Sequence, residues 1–261
     1  SSGSRHGINL NGNTAVITGC SFTGNGGLPM QSVPLQTLPN FTGNTATGNA
    51  EGDYARITTF THSADLTISP SNCIGGVLVI GTTTFSVAAG KRLTLTQGLI
   101  VKIESTTHLV SQGFLDVLGT ELEPVVFTTL ADDSVGGDTA SDGATVGTPG
   151  SWRGFYFYPS ASTSRIEHAE IKFTGNGNYG AVTFGGAVVS VDGCNIHQSS
   201  TGGIDFSGGS VGSTVSNSTI HDNVGLPIYN CPLQAVPGLL DNTASGNQSG
   251  DYIRVTSYSH S

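Results

Sequence analysis

The sequence predicts an all-β chain wound as a parallel β-helix, or β-solenoid, of about 24 residues per coil. Three observations carry that prediction. Apolar residues recur at a fixed spacing: Ile166, Val191 and Val215 are 25 and 24 residues apart, and Ile171, Ile196 and Ile220 repeat the same intervals. The composition holds 38 Gly and only 10% charged residues, where an ordinary globular domain is about a quarter charged. Finally, a long passage near the beginning, GLPMQSVPLQTLPNFTGNTATGN, returns near the end as GLPIYNCPLQAVPGLLDNTASGN.

That duplication sets the first and last segments. Residues 27–63 align with 225–261 without a gap, at an offset of 198, and nineteen of the thirty-seven positions are identical. The identities include Gly52, Asp53, Tyr54 and Arg56 against Gly250, Asp251, Tyr252 and Arg254. SRHGINL, from Ser4, resembles STGGIDF, from Ser200, once two residues are inserted. The chain therefore reads as one continuous solenoid in three parts. Residues 1–63 close one unit of about 198 residues. Residues 64–198 form central coils with an Asp/Gly-rich insertion at 131–150, and 199–261 begin the next tandem repeat. Eight turns per unit, at about 4.8 Å per stacked strand, give an expected unit length of roughly 40 Å. Both ends fall inside a repeat and neither reads as a capping element. Copies of the same chain, stacked head-to-tail through the solenoid ends, are the expected partner.

The finer rungs follow in the central and C-terminal parts. RIEHAEIKFTGNGNYGAVTF, SVDGCNIHQSSTGGIDF and TVSNSTIHDNVGLPI share one pattern, which AVITGCSFTGNGGLPM repeats near the start. An apolar residue is followed by four intervening positions, a second apolar residue and a polar corner. Strands this short, joined by Gly, Asn and Asp corners that tolerate positive φ, are not helices. Alternation along each strand turns one face inward. An Ig-like sandwich also offers short strands, but not anchors recurring at one interval. Asn25, Asn176 and Asn223 are expected at one corner on different turns, sharing amide hydrogen bonds along the axis. His197 and His221 are expected to stack as neighbours on one face, and His62 and His260 are repeat equivalents.

The middle of the chain also resembles a known family. LTLTQGLIVKI (Leu93 to Ile103), LVSQGFLDVLGTELEPVVFTT (Leu109 to Thr129) and GSWRGFYF (Gly150 to Phe157) occur in order. They are similar to successive turns of the right-handed parallel β-helix modules of bacterial cell-surface and secreted proteins, within the pectin-lyase-like superfamily. The resemblance covers roughly residues 64 to 230, with Phe155 where Ile is usual and Gln97 where Pro is common. It implies a right-handed coil and an extracellular or cell-surface location. Fold alone does not assign an activity.

The densest polar cluster is ADDSVGGDTASDGATVGTPGSW, which brings Asp132, Asp133, Asp138 and Asp142 within eleven residues, among Gly136, Gly137 and Gly143. Four carboxylates so close repel unless a cation or distance relieves them. The related modules often carry a similar loop here, so a structural calcium ion on these four aspartates is the expected cofactor. The alternating EF-hand pattern is missing. A solvated loop using Asp as turn residues is the plain alternative.

Composition narrows the partners. Nine Lys and Arg against eighteen Asp and Glu, a net charge of −9, argue against a nucleic-acid backbone. The longest apolar run, CIGGVLVIG, is too short to span a bilayer as a helix. Cys20, Cys73, Cys194 and Cys231 are expected as buried free thiols, with one disulfide left open. The basic residues are scattered and the carboxylates lack the facing arrangement of a glycosidase, so no enzymatic activity and no catalytic residue are expected. The leading expectation is a structural module of a tandem-repeat extracellular fibre, in scaffolding or adhesion. The alternative is a secreted β-helix that binds or cleaves polysaccharide. Aromatic residues on adjacent turns of one flank would favour it; Tyr156, Phe157 and Tyr158 beside Trp152 are the only dense aromatic group, with Phe155 and Phe157 expected to alternate inward.

Overall fold

The computed structural model describes residues 5–58, 61–62, 64–104 and 106–256. His260 and the end of the second repeat copy lie outside them. The described strands stack into three long sheets, and every pairing is parallel. A ten-stranded sheet runs from Ile8–Asn9 to Thr243–Ser245. An eight-stranded sheet runs from Thr61–His62 to Ile253–Thr256, and a seven-stranded sheet from Leu66–Ile68 to Leu239–Leu240. Two small sheets near the start pair Ile17–Thr18 with Phe41–Thr42 and Ser21–Thr23 with Thr45–Thr47. The chain visits three strands per coil, so the fold is the expected parallel β-helix.

The periodic apolar residues explain the stacking. Ile171, Ile196 and Ile220 lie in register across three coils, as do Ile166, Val191 and Val215, and all six are buried. In Val189–Asp192 the two valines point inward while Ser190 and Asp192 remain partly exposed. Each coil must then turn a corner, and the backbone there is left-handed. Phe173, Gln198 and Asp222 occupy successive coils with φ of 61°, 55° and 53°. One apolar cluster runs along the axis from Leu10 to Ala235, because each coil buries its inward residues against the coil on either side.

The asparagine ladder forms with one change of membership. Asn25 donates to Asn49, and Asn223 donates to Asn247 at 3.0 Å while accepting the Ser199 amide at 2.9 Å. Asp53 and Asp251 close the two ladders by accepting from Asn49 and Asn247. Asn176 stands outside. The register of Ile171 with Ile196 and Ile220 puts Thr174 at that corner, and Asn176 instead sends its amide to the Trp152 carbonyl. The thiols are all free; Cys194 and Cys231 are buried, but Cys20 is exposed on a corner.

The unit is not eight turns long. From Ile8–Asn9 to its repeat equivalent Ile204–Asp205 the chain passes twenty-two strands, which at three per coil is seven coils and one strand. One coil is long because residues 130–153 leave the stack between Val125–Thr129 and Gly154–Phe157. The extra strand has a geometric consequence. Ile8–Asn9, Met30–Val33 and Ala55–Ile57 belong to the ten-stranded sheet, whereas their equivalents Ile204–Asp205, Ile228–Pro232 and Ile253–Thr256 belong to the eight-stranded one. The slip occurs where the 3-10 turns Pro70–Asn72 and Ile74–Gly76 pack over Phe41–Thr42 and Thr45–Thr47, ending the two small sheets.

Candidate functional site

The insertion lies against the outer side of the ten-stranded sheet, where Gly136 packs beside Val77, Ile100 and Lys102. Two lysines from that sheet hold it. Lys102 is fully buried and its Nζ donates to the Gly137 carbonyl at 2.7 Å. Lys172 Nζ sits 2.9 Å from Asp132 Oδ2 and 3.4 Å from Glu170 Oε1. Burial pushes the Lys102 ammonium down, opposed by the charges of Asp133, Asp132 and Asp138. Burial alone would raise Asp132, but hydrogen bonds from Ser134, Thr128 and Lys172 together hold it below the usual aspartate value.

The four aspartates face different tasks. Asp132 takes Lys172, Thr128 and Ser134. Asp133 Oδ2 accepts the Thr145 amide and hydroxyl. Asp138 caps its own turn by accepting the amides of Asp142 and Gly143. Among the described residues no three His, Cys, Asp or Glu side chains gather around one point. Asp133 Oδ1 is buried without a partner, but it is one oxygen where calcium takes six to eight. The four aspartates thus enter separate hydrogen-bond networks, and the side chains of Lys102 and Lys172 reach the loop from the sheet. Sequence reading missed both, because they lie 30 and more residues away along the chain.

Two coils further on, His197 and His221 stack with ring centroids 4.8 Å apart, as their spacing predicts. His197 Nε2 is 3.1 Å from Glu170 Oε1, which extends the polar row from the insertion clamp. His221 Nε2 meets Asn195 Oδ1 at 3.0 Å.

The outer side of the eight-stranded sheet has a different character. Phe155 and Phe157 point into the core, as expected, and Tyr156 points out. Its row along the sheet is Val110, Tyr156, Thr183, Asp205 and Tyr229, one residue per coil. Tyr156 packs edge-on against Tyr158 at 4.8 Å and Tyr179 at 5.2 Å, and Tyr179 stacks on His108 at 5.2 Å. Tyr158 and Tyr179 remain exposed. The glycines beneath make this possible: a Cβ on Gly185 would lie 2.3 Å from the Tyr156 ring, and one on Gly202 would lie 2.5 Å from the Tyr229 ring.

The rings bury polar groups that face outward. Thr183 and Asp205 are nearly inaccessible, and Thr183 Oγ1 and His108 Nε2 are buried without hydrogen-bond partners. Burial first, and then Arg153, push His108 down to about 4, so its imidazole is neutral at neutral pH. Burial, reinforced by Asp205, pushes the Tyr229 phenol up. The result is an aromatic platform across adjacent coils, with a neutral imidazole in it and polar groups buried beneath it. Of this platform the sequence showed Tyr156 and Tyr158, in the group with Phe157 beside Trp152. His108, Tyr179, Thr183, Asp205 and Tyr229 join them through register, and a coil-by-coil alignment of outward positions is the signal that finds them.

Residues 153–260 match the family model described as a right handed beta helix region. No curated protein and no solved structure matches the chain. The same parallel architecture continues through the described residues before 153. The chain is a right-handed parallel β-helix, and the resemblance of its central turns to such modules holds.

Proposed function

We propose that the protein is a structural module of an extracellular or cell-surface fibre, serving in scaffolding or adhesion. The observation that supports this is the unbroken apolar cluster from Leu10 to Ala235, with the strands of both repeat copies stacked into the same continuous solenoid. Such a solenoid is a stiff rod whose length grows by adding coils, and whose flanks stay free for contacts. Low charge and a surface rich in Thr, Ser, Asn and Gly suit that setting. Electron microscopy of the native material tests the reading: straight rods support it, and compact particles that turn over a polysaccharide overturn it.

A second reading rests on the aromatic platform. Tyr156, Tyr158 and Tyr179 offer ring faces, and the exposed Tyr158 and Tyr179 also carry phenol hydroxyls. That combination suits a surface polysaccharide, whose sugars carry C–H faces and hydroxyls, and a scaffold with such a flank would act in adhesion. Titration of uncharged and acidic oligosaccharides against the protein, read by tyrosine fluorescence, tests it. Saturable binding lost in Tyr158→Ala and Tyr179→Ala supports the platform, and unchanged binding in both removes it.

A further inference from the structure

The two repeat copies make the molecule its own control for what covers a coil. In the first copy, Leu35, Tyr54, Ala55 and Ile57 are 0%, 5%, 6% and 0% exposed. Their equivalents Leu233, Tyr252, Ile253 and Val255 are 55%, 57%, 41% and 43% exposed. The local framework is the same in both. Asp53 accepts from Gly48, Asn49 and the Asn49 side chain, and Asp251 accepts identically from Gly246, Asn247 and the Asn247 side chain. The copies differ in what lies on top.

In the first copy the cover is known residue by residue. Strand Ala55–Ile57 carries strand Val77–Ile80, with Arg56 beside Val79 and Ile57 beside Ile80. Leu35–Asn40 lies under Leu66–Ile68 and Pro70–Asn72. Tyr54 packs with Val77 and Val79, and the insertion reaches down so that the Asp53 amide donates to the Thr139 carbonyl. Arg56 forms a two-pronged ion pair with Glu104, one coil beyond that strand. Arg254, its equivalent, meets no carboxylate among the described residues; it rests over the Tyr229 ring, with its nearest polar contact Asn230 at 3.5 Å.

We propose that the face formed by Leu233, Tyr252, Ile253, Arg254 and Val255 is a docking surface for coils of the kind formed by residues 64–104, together with the insertion that follows them, presented by a following unit of the same repeat. The occupant supplies an apolar strand like Val77–Ile80, a carboxylate placed like Glu104 for Arg254, and an insertion tip like Thr139 over Tyr252. This rests on reading the protein as an array module. It adds a geometry: each unit advances seven coils and one sheet, so equivalent faces of successive units turn by about a third of a revolution, given three sheets per coil.

The test is a two-unit chain in which residues 64–261 are appended after residue 261, compared with the present chain by hydrogen exchange. The expected result is that amides of 252–256 slow at least tenfold, to the level of 54–57, and that Arg254→Ala destabilises only the two-unit chain. An exchanged pair, Arg254→Glu with the appended Glu104 equivalent changed to Arg, restores protection. Exchange at 252–256 that stays fast while the appended coils are themselves protected overturns the docking surface and leaves the scaffold reading standing. Appended residues that acquire no protection at all count against both.

Discussion

Asn223 has no exposed surface, and every polar atom of its side chain is used: Oδ1 takes the Ser199 amide, and Nδ2 serves the Ile196 carbonyl and Asn247. Replacing it with Ala strands buried groups on two neighbouring coils, at a cost of about 1–3 kcal/mol for each group left unsatisfied. Asn223→Ala is therefore expected to lower stability by about 3 kcal/mol in denaturant unfolding, while Asn176→Ala changes it by less than about 0.5 kcal/mol. The corner glycines give a second residue-level expectation. Gly202→Ala collides with the Tyr229 ring, so it should release that ring and raise tyrosine fluorescence quenching by iodide. The ladder was legible because Asn25 and Asn223 are repeat equivalents. Asn176 misled because the sequence shows residue type but not register, and an extra step at the corner moved it two residues past the ladder position held by Thr174.

At the scale of elements, the insertion and the ten-stranded sheet are joined through the ion pair of Lys172 and Asp132, both largely buried. Removing one partner leaves an uncompensated charge, so Lys172→Met should cost about 3–5 kcal/mol. Asp132 has a folded pKa below its ordinary 3.8, so its ion pair stabilises the fold above that value and is lost as pH falls through the depressed one. Glu170, lowered first by its hydrogen bond from His197 and further by Lys172, follows the same sign. Amides of 131–146 are thus expected to lose exchange protection in acid, below about pH 4, before the coils do. Chelator checks for a cation in this loop: a fall in melting temperature that calcium reverses would place a metal among Asp132, Asp133, Asp138 and Asp142, and an unchanged one would leave the two lysines and the hydrogen bonds to hold it. The insertion's boundaries were legible as a break in periodicity. Its clamp was not, because Lys102 and Lys172 enter it from strands on either side in the stack.

For the whole molecule, the interval of 24 to 25 residues between stacked isoleucines was enough to give the fold, since a fixed interval means a fixed circumference. The count of coils was not readable in the same way. An average of 24 residues over 198 suggests eight turns, but the excursion of residues 130–153 occupies nearly one turn's worth of chain without adding a rung. The aromatic flank shows the same limit, since residues 22 to 71 positions apart become neighbours only when the coils are set in register. The unit that results is roughly 35 Å long, at about 4.8 Å per rung. It ends one sheet further round than it began, which would display successive aromatic platforms in different directions around a rod.

Cryo-electron microscopy of a chain carrying several tandem units tests that account most directly. The predicted result is a continuous rod with a rise of roughly 35 Å per unit, at about 4.8 Å per rung, and a rotation of about a third of a turn between equivalent units. Separate beads joined by linkers, or units related by pure translation with no rotation, would contradict it.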